Sequence, residues 1–284
     1  MVSVDEPLTL SAPLTRTLAA SHCTPGCRDY HAMWQYFRAL GLIDTIAADN
    51  DFLVEALRQL AATEKFPRVL ISASADYGML ARVLTAGRLA GQTPAITVLD
   101  LCETPLAINR WYAHRHGVSI ETVRSNLLDF SPPTSFDLIC THSFIGRLPP
   151  EVRRQALARW YALLRPGGVV VTTARVRHGA SPVAIGFGEA EIQSFHDRAL
   201  ALATARCGEL DILPATLAES ARTYAAAKVT LPFGSLDEIR AYFSAAGFTP
   251  VTLATAGVSK KNDRPSGPRA GWKTERVRII AQRD

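Results

Sequence analysis

Long hydrophobic runs are absent from this sequence. No apolar stretch approaches the roughly 20 residues that a membrane-spanning helix needs. The first 22 residues include Asp5 and Glu6 and contain no long apolar segment, so we expect no secretory signal. These features favour a cytoplasmic protein without a membrane partner. Because 48% of its 284 residues are hydrophobic and 20% are charged, the chain can still bury a substantial core.

Cysteine is scarce and scattered. The chain has 5 cysteines, which are Cys23, Cys27, Cys102, Cys140 and Cys207. An odd and dispersed set predicts no disulfide framework and suits a reducing compartment. Cys23 and Cys27 are near His22 and His31, but no second pair of closely spaced cysteines follows. Because closed zinc sites usually combine two paired ligand sets, we predict no metal site and interpret Pro25-Gly26 as an ordered turn.

A concentrated basic surface is also missing. The formal net charge is +5, and the basic residues are dispersed apart from one cluster, Lys260-Lys261-Asn262-Asp263-Arg264. Neither a zinc knuckle nor an RNA-recognition signature accompanies this cluster. We therefore interpret it as a solvated loop and predict no nucleic-acid partner.

Residues 67–100 carry the clearest pattern in the chain. Val69-Leu70-Ile71 reads as a buried strand, a turn of small residues follows it, and apolar residues at helical spacing come next. A second apolar run, Ile96 to Leu99, ends on Asp100. Such a βαβ unit can hold a nucleotide at the carboxyl edge of a parallel sheet. Small residues let the backbone approach a ligand, and a carboxylate that closes the second strand can accept both hydroxyls of a ribose.

Further motifs follow in a fixed order. They are Asn126 in VRSNLLDF, the strand Phe136-Asp137-Leu138-Ile139, and Leu164-Arg165-Pro166-Gly167-Gly168 before VVVTTARV. With Asp100, they make residues 67–175 resemble the class I S-adenosylmethionine (SAM)-dependent methyltransferases. The resemblance implies an α/β, Rossmann-like, doubly wound sheet that is mostly parallel, with an antiparallel last strand. It also implies SAM as cofactor, either as methyl donor or as substrate.

The resemblance assigns the cofactor contacts. It implies that Asp100 binds the ribose and that Leu101, Asn126 and Leu127 lie beside the adenine. It places the turn Ala73, Ser74, Ala75 and Asp76 near the amino-acid end of SAM. Ala73, Ala75 and Tyr77 stand where the family usually has glycines. Because alanine disfavours a positive φ, we expect either a turn of different shape or other groups that hold this end of the cofactor.

Catalytic and acceptor-binding candidates come from three further places. His142 and Ser143 follow the fourth strand, where ligands of open α/β sheets bind, and His142 is our candidate for a base or for a cofactor contact. Tyr30, His31 and Trp34 lie on a predicted helix and either enclose the acceptor and the sulfonium or belong to the core. Arg175 follows the fifth strand and could bind a substrate carboxylate or remain a surface charge.

The organisation along the chain follows from the same patterns. We assign residues 1–66 to an N-terminal arm and helical cap, with little regular structure over 1–28 and helices over 29–41 and 51–62. Residues 67–284 form the SAM-binding domain, with a helical insertion at about 178–233 that covers the site. The insertion contains predicted helices at 189–206 and 214–228. A helix over 235–246, strands over 248–254 and 276–281, and a mobile segment over 257–271 complete the prediction.

The resemblance implies a SAM-dependent methyltransferase, a transferase of small-molecule biosynthesis that acts on a small-molecule acceptor. A homodimer is possible. One alternative is a SAM-consuming cyclase on the same fold, which would give azetidine-2-carboxylic acid and methylthioadenosine. Another alternative is a SAM-binding protein without turnover. The sequence leaves open which acceptor is used and which of its atoms is methylated.

Overall fold

A seven-stranded sheet forms the centre of the protein in the computed structural model, which describes residues 3–43, 45–63, 68–178, 184–256 and 274–284. The strands are β1 (Arg68–Ser72), β2 (Ala95–Asp100), β3 (Glu121–Arg124), β4 (Phe136–Cys140), β5 (Leu164–Arg177), β6 (Ile185–Gly186), β7 (Val229–Thr230), β8 (Phe248–Ala256) and β9 (Thr274–Arg283). The sheet has the order β3-β2-β1-β4-β5-β9-β8, and β6 and β7 form a separate two-stranded pair.

The direction of the strands confirms the predicted fold. The first five strands of the sheet run parallel, whereas β9 is antiparallel to both β5 and β8. Ile71 of β1 lies opposite Val98 of β2 on one side and Cys140 of β4 on the other. All three residues are fully buried, as expected for central strands of a parallel sheet that is covered on both faces.

Nine α-helices surround the sheet among the described residues. They are α1 (Leu8–His22), α2 (Pro25–Ala39), α3 (Asn50–Thr63), α4 (Gly78–Leu89), α5 (Glu103–Arg115), α6 (Pro150–Leu163), α7 (Glu189–Ala205), α8 (Pro214–Ala227) and α9 (Leu236–Ala245). The predicted helices of the insertion agree with α7 and α8 to within one residue. Ser235 caps α9 by accepting a hydrogen bond from the Glu238 N–H at 3.0 Å, as its position before an acidic first turn indicates. None of the described helices is both long enough and apolar enough to cross a membrane.

The amino-terminal residues differ from the prediction. The sequence indicated little regular structure over residues 1–28, but α1 occupies most of this range and contains Pro13. Proline removes one backbone donor from a helix. Packing compensates for that loss, since Ala12 and Ala19 are fully buried against neighbouring elements and the Thr15 hydroxyl donates to Gln35 Oε1 of α2 at 3.0 Å. Burial of α1 in the folded protein therefore outweighs the proline-rich local sequence, which indicated little regular structure.

The buried side chains form three clusters. Two of them cover the two faces of the sheet. The third lies between α1, α2, α7 and α8 and includes Phe37, Phe195, Leu217 and Tyr224. The N-terminal helices and the insertion are thus packed on one another above the sheet. The predicted mobile segment over 257–271 lies outside the described residues.

Candidate functional site

The candidate site lies at the carboxyl edge of the central strands. The turn that begins at Ala73 follows β1, Asp100 ends β2, and His142 follows β4 closely. The chain leaves β1 towards β2 on one side, while β4 lies on the other side. This is the switch point at which open α/β sheets bind their ligands. The fold therefore brings the turn, Asp100 and His142 to one edge, as the sequence predicted.

The turn after β1 contains a residue in the left-handed region. Ala73 has a φ of 61° and its N–H donates to the Leu99 carbonyl at 2.9 Å. This conformation is unfavourable by roughly 1–2 kcal/mol for a residue with a Cβ, so we did not expect an alanine to adopt it. Ser143, just after β4, also has a positive φ, of 52°, and its N–H donates to Thr173 Oγ1 at 3.1 Å. A residue with a strained backbone thus follows each of two adjacent strands, an arrangement typical of functional sites.

A buried ion network holds the turn in place. Arg38 of α2 donates to Asp76 Oδ2 at 2.6 Å and also pairs with Glu6. Arg82 of α4 reaches the same Glu6 carboxylate at 2.9 Å, and Asp76 Oδ1 accepts the Gly78 N–H at 2.8 Å. Burial opposes ionisation of Glu6, but Arg38 and Arg82 hold its pKa below the usual range. Arg38 of α2 and Glu6, which precedes α1, therefore stabilise a turn that lacks the glycines usual in the family.

The network also changes the interpretation of Ser74 and Asp76. Both are at least 94% buried, the Ser74 hydroxyl donates to the Asp76 carbonyl, and the Asp76 carboxylate is engaged by Arg38. A ligand at this turn would meet mainly backbone groups and the half-buried Ala73 and Ala75. The predicted cofactor contacts of Ser74 and Asp76 are therefore not supported for their side chains.

Two backbone N–H groups hold the Asp100 carboxylate in place. Its Oδ2 accepts the Ser74 N–H at 3.0 Å and its Oδ1 accepts the Cys102 N–H at 2.8 Å. These two bonds orient the carboxylate and leave acceptor capacity on both oxygens. Burial raises the pKa of Asp100, and the backbone N–H donors oppose the shift. Leu101, which follows it, exposes 67% of its surface although it is apolar, as expected for a residue that a planar ligand covers.

Asn126 and Leu127 lie just beyond β3. Asn126 is exposed, and its Oδ1 accepts the Leu128 N–H at 3.1 Å. Its amide NH₂ donors remain available to a purine edge. Leu127 is buried with 8% exposure and belongs to the cluster on that face of the sheet. The geometry is thus compatible with the predicted adenine contact of Asn126 and gives Leu127 a packing role.

His142 is paired with a residue that the sequence did not reveal. Its Nε2 lies 3.0 Å from Oδ2 of Asp49, which is completely buried on a 3₁₀ helix (Ile46–Asp49) before α3. Arg276 and Arg278 of β9 approach the same carboxylate at 3.3 and 3.4 Å. Burial lowers the pKa of His142, Asp49 opposes the shift, and the charges of Arg175 and Arg82 add to it. A neutral imidazole that donates Nε2–H to Asp49 has a free lone pair on Nδ1.

The aromatic residues of α2 differ in their surroundings. The rings of Tyr30 and Trp34 are 5.2 Å apart, and the Tyr30 ring stacks on that of Tyr224 of α8 at 6.1 Å. Burial raises the pKa of Tyr30, and the charge of Arg147 opposes the shift. The Tyr30 ring also lies 5.1 Å from that of His31. His31 instead directs Nδ1 towards Cys23 Sγ at 3.2 Å and is 7% exposed, so its predicted contact with the acceptor is not supported.

A cationic pocket lies beside Tyr30. It is the cluster of Arg147 and Lys228 with Tyr30 and Tyr224, and the charge of Arg175 also acts on Lys228. Lys228 Nζ is 5.8 Å from the Tyr30 ring centroid and 5.5 Å from that of Tyr224, and the Arg147 guanidinium is 5.6 Å from Tyr30. Burial, followed by the charges of Arg147 and Arg175, lowers the pKa of Lys228 well below its ordinary 10.5. In the described part of the chain, Lys228 makes no ion pair with a carboxylate.

This fold and this edge of the sheet are similar to those of the class I SAM-dependent methyltransferases. Residues 78–168 match the family model described as a methyltransferase domain, which confirms the predicted resemblance and identifies the chain as a methyltransferase-like transferase. A search of the curated proteins gives no match.

Solved structures agree on the fold. A candidate O-methyltransferase from Nostoc punctiforme shares 13% identity over 98% of this chain and 70% of its own, with a TM-score of 0.53. A candidate sarcosine dimethylglycine methyltransferase from Galdieria sulphuraria shares 15% identity over 88% and 97%, also with a TM-score of 0.53. Phosphoethanolamine N-methyltransferase 2 of Haemonchus contortus, in complex with phosphomonomethylethanolamine and S-adenosylhomocysteine, shares 14% identity over 82% and 52%, with a TM-score of 0.50. At these identities the likeness extends to the fold alone.

Proposed function

We propose that this protein transfers the methyl group of SAM to a small-molecule acceptor that carries an anionic group. The observation that carries the proposal is the pair of His142 and Asp49, 3.0 Å apart at the edge that also holds Asp100. SAM supplies the activated methyl group. Asp100 would bind the ribose hydroxyls, Leu101 and Asn126 the adenine, and the backbone of the turn after β1 the amino-acid end.

His142 is suited to remove a proton from the acceptor. Asp49 accepts Nε2–H and fixes the ring, so Nδ1 is the basic atom. As the acceptor heteroatom attacks the methyl carbon, the carbon–sulfur bond breaks and its electron pair stays on sulfur, which gives S-adenosylhomocysteine. The acceptor proton passes to Nδ1. A positioned base of this kind typically contributes 10²–10⁴-fold to a rate.

The cationic pocket supports the chemical class of the acceptor. Lys228 is 8% exposed and lies near two guanidinium groups, an arrangement that is unfavourable until an anion enters. Tyr30 connects this pocket to the cofactor edge, because its ring lies 5.1 Å from that of His31. His31 in turn contacts Cys23, which lies 3.5 Å from Cys102 beside Asp100. A carboxylate or phosphate of the acceptor would bind to Lys228 and Arg147. Its nucleophilic atom would then point towards His142, whose pKa also responds to Arg175.

The first experiment separates methyl transfer from the predicted alternatives. The protein is incubated with SAM alone and the products are analysed by mass spectrometry. We expect intact, bound SAM. Methylthioadenosine with a four-carbon amino acid would show chemistry on SAM itself and would overturn the proposal. Small nucleophiles are then screened for release of S-adenosylhomocysteine, with each carboxylic acid compared with its methyl ester, and we expect turnover of acids but not of their esters.

Variants then test the base. We expect His142→Asn and Asp49→Asn to lower kcat by about 10²–10⁴-fold while SAM affinity stays near that of the wild type. His178→Asn is the matched control, because His178 also pairs with a carboxylate, Glu275 at 3.0 Å, but its side chain is 62% exposed. Full activity of a folded His142→Asn variant would exclude the proposed base.

A further inference from the structure

Three cysteines and one histidine from two distant parts of the chain meet beside the N-terminal helices. Cys23 precedes α2, Cys27 and His31 lie in its first two turns, and Cys102 immediately precedes α5. One ligand atom of each residue lies within 4.8 Å of all the others. Cys23 Sγ is 3.2 Å from His31 Nδ1 and 3.5 Å from Cys102 Sγ, and Cys27 Sγ is 4.0 Å from Cys102 Sγ.

These distances match the edges of a coordination tetrahedron. With zinc–sulfur bonds of about 2.3 Å, two thiolates of a tetrahedral site lie roughly 3.8 Å apart, and a thiolate and an imidazole nitrogen roughly 3.6 Å apart. The two measured sulfur–sulfur distances lie on either side of the first value. The sulfur–nitrogen distance is shorter than the second by a few tenths of an ångström, which a small rotation of either side chain would correct.

The surroundings also suit a closed metal site. Cys23, His31 and Cys102 are 8%, 7% and 8% exposed and Cys27 is half-buried, so most of the cluster is shielded from water. Cys27 and Cys102 lie at the starts of α2 and α5, where backbone N–H groups stabilise thiolates. Thr104 Oγ1 lies 3.1 Å from Cys23 Sγ and provides the hydroxyl that commonly supports a metal ligand.

We propose that Cys23, Cys27, His31 and Cys102 bind a structural Zn²⁺ ion. Three thiolates and one imidazole in a buried tetrahedron are a set of ligands typical of zinc. A disulfide would use two of the sulfurs and would leave the third cysteine and the imidazole without a role. We predicted no metal site because the sequence has no second pair of closely spaced cysteines. In the structure, the fourth ligand comes singly from the start of α5.

The position of the cluster indicates which elements the ion would link. The Cys102 N–H donates to Asp100 Oδ1 at 2.8 Å, so the metal would lie next to the residue proposed to bind ribose. His31 is adjacent to Tyr30, which lines the cationic pocket. Zinc would therefore link the residues between α1 and α2 to the segment after β2. This link would hold the helical cap in a fixed position relative to the cofactor edge.

Metal analysis tests this site without any measurement of activity. The full chain is purified under reducing conditions from zinc-supplemented cells and analysed by inductively coupled plasma mass spectrometry. We expect about one Zn²⁺ per chain, a loss of most of it in Cys23→Ser and Cys102→Ser, and full retention in Cys207→Ser. Cys207 is the matched control, because it is exposed and outside the cluster. Replacement by Co²⁺ should give the absorption of a tetrahedral ion with thiolate ligands.

Alkylation of the wild-type protein avoids dependence on variants that fail to fold. We expect native Cys27 and Cys102 to resist iodoacetamide and to react after a chelator is added, whereas Cys207 reacts in both states. Free reaction of Cys27 and Cys102 before chelation, absence of zinc and of Co²⁺ binding, or a disulfide between two of the three cysteines would each overturn the proposal.

Discussion

Replacing Arg38 by methionine removes the cation that joins α2 to the turn after β1. The Arg38 side chain is only 2% exposed and lies between the carboxylates of Asp76 and Glu6. Without it, Glu6 keeps Arg82 at 2.9 Å, but in the described part of the chain the Asp76 carboxylate keeps only the Gly78 N–H. Removing one partner of a buried ion pair typically destabilises a protein by about 3–5 kcal/mol. We expect Arg38→Met to lower the free energy of unfolding by that amount, with most of the penalty at Asp76.

Urea denaturation followed by circular dichroism measures the effect. In the Arg38→Met background, Asp76→Asn should restore stability, because it removes the unpaired charge, whereas Asp76→Asn alone should destabilise the protein. Arg58→Met is the matched control. Arg58 pairs with Glu55 on the surface of α3 and its side chain is 40% exposed, so we expect little change. A loss of less than about 1 kcal/mol in Arg38→Met, or no rescue by Asp76→Asn, would refute the assignment of the network as the support of the turn.

Three further predictions concern the backbone and the proposed base. Ala73→Gly removes the Cβ at a position with a positive φ and should raise stability by roughly 0.5–1 kcal/mol after the entropy of the unfolded chain is counted. Ala75→Gly is at a position without a positive φ and should lower stability. Thermal melts compare the two variants. Gly247→Ala should destabilise by roughly 2–4 kcal/mol in urea, because φ is 102° and the new Cβ would lie 2.9 Å from the Tyr161 ring; an unchanged midpoint would contradict this. Since the pKa of His142 is lowered, its neutral form should persist below pH 6.5, so the acid limb of kcat/KM should lie below that value and should be absent from His142→Asn.

The sheet and the residues at its edge could be predicted because their signals are local. Short apolar runs set the parallel strands, and Asp100 and His142 lie within two residues of strand ends. The end of a strand fixes where the next side chains lie. The position of each candidate therefore followed once the strand order was known.

The partners of these residues could not be predicted, because they come from elements that are distant in sequence. Asp49 has no motif around it and reaches His142 only through the packing of α3 and β9. Lys228 follows an alanine-rich helix in a part of the chain without a readable pattern. Cys102 joins Cys23 through contact between the cap and α5. All three contacts depend on how the helical cap packs against the rest of the protein, and no local sequence pattern indicates this packing.

The pairing of Arg38 with Asp76 also bears on how ligands enter and leave. If α2 moved outwards as a hinged lid, two charges that are almost fully buried would separate in a poorly hydrated gap, and that separation is unfavourable by several kcal/mol. Frequent opening along this path is therefore disfavoured. We expect α1 and α2 to stay fixed during each catalytic cycle, so that passage of cofactor and product depends on motion of α7 and α8, which pack against them.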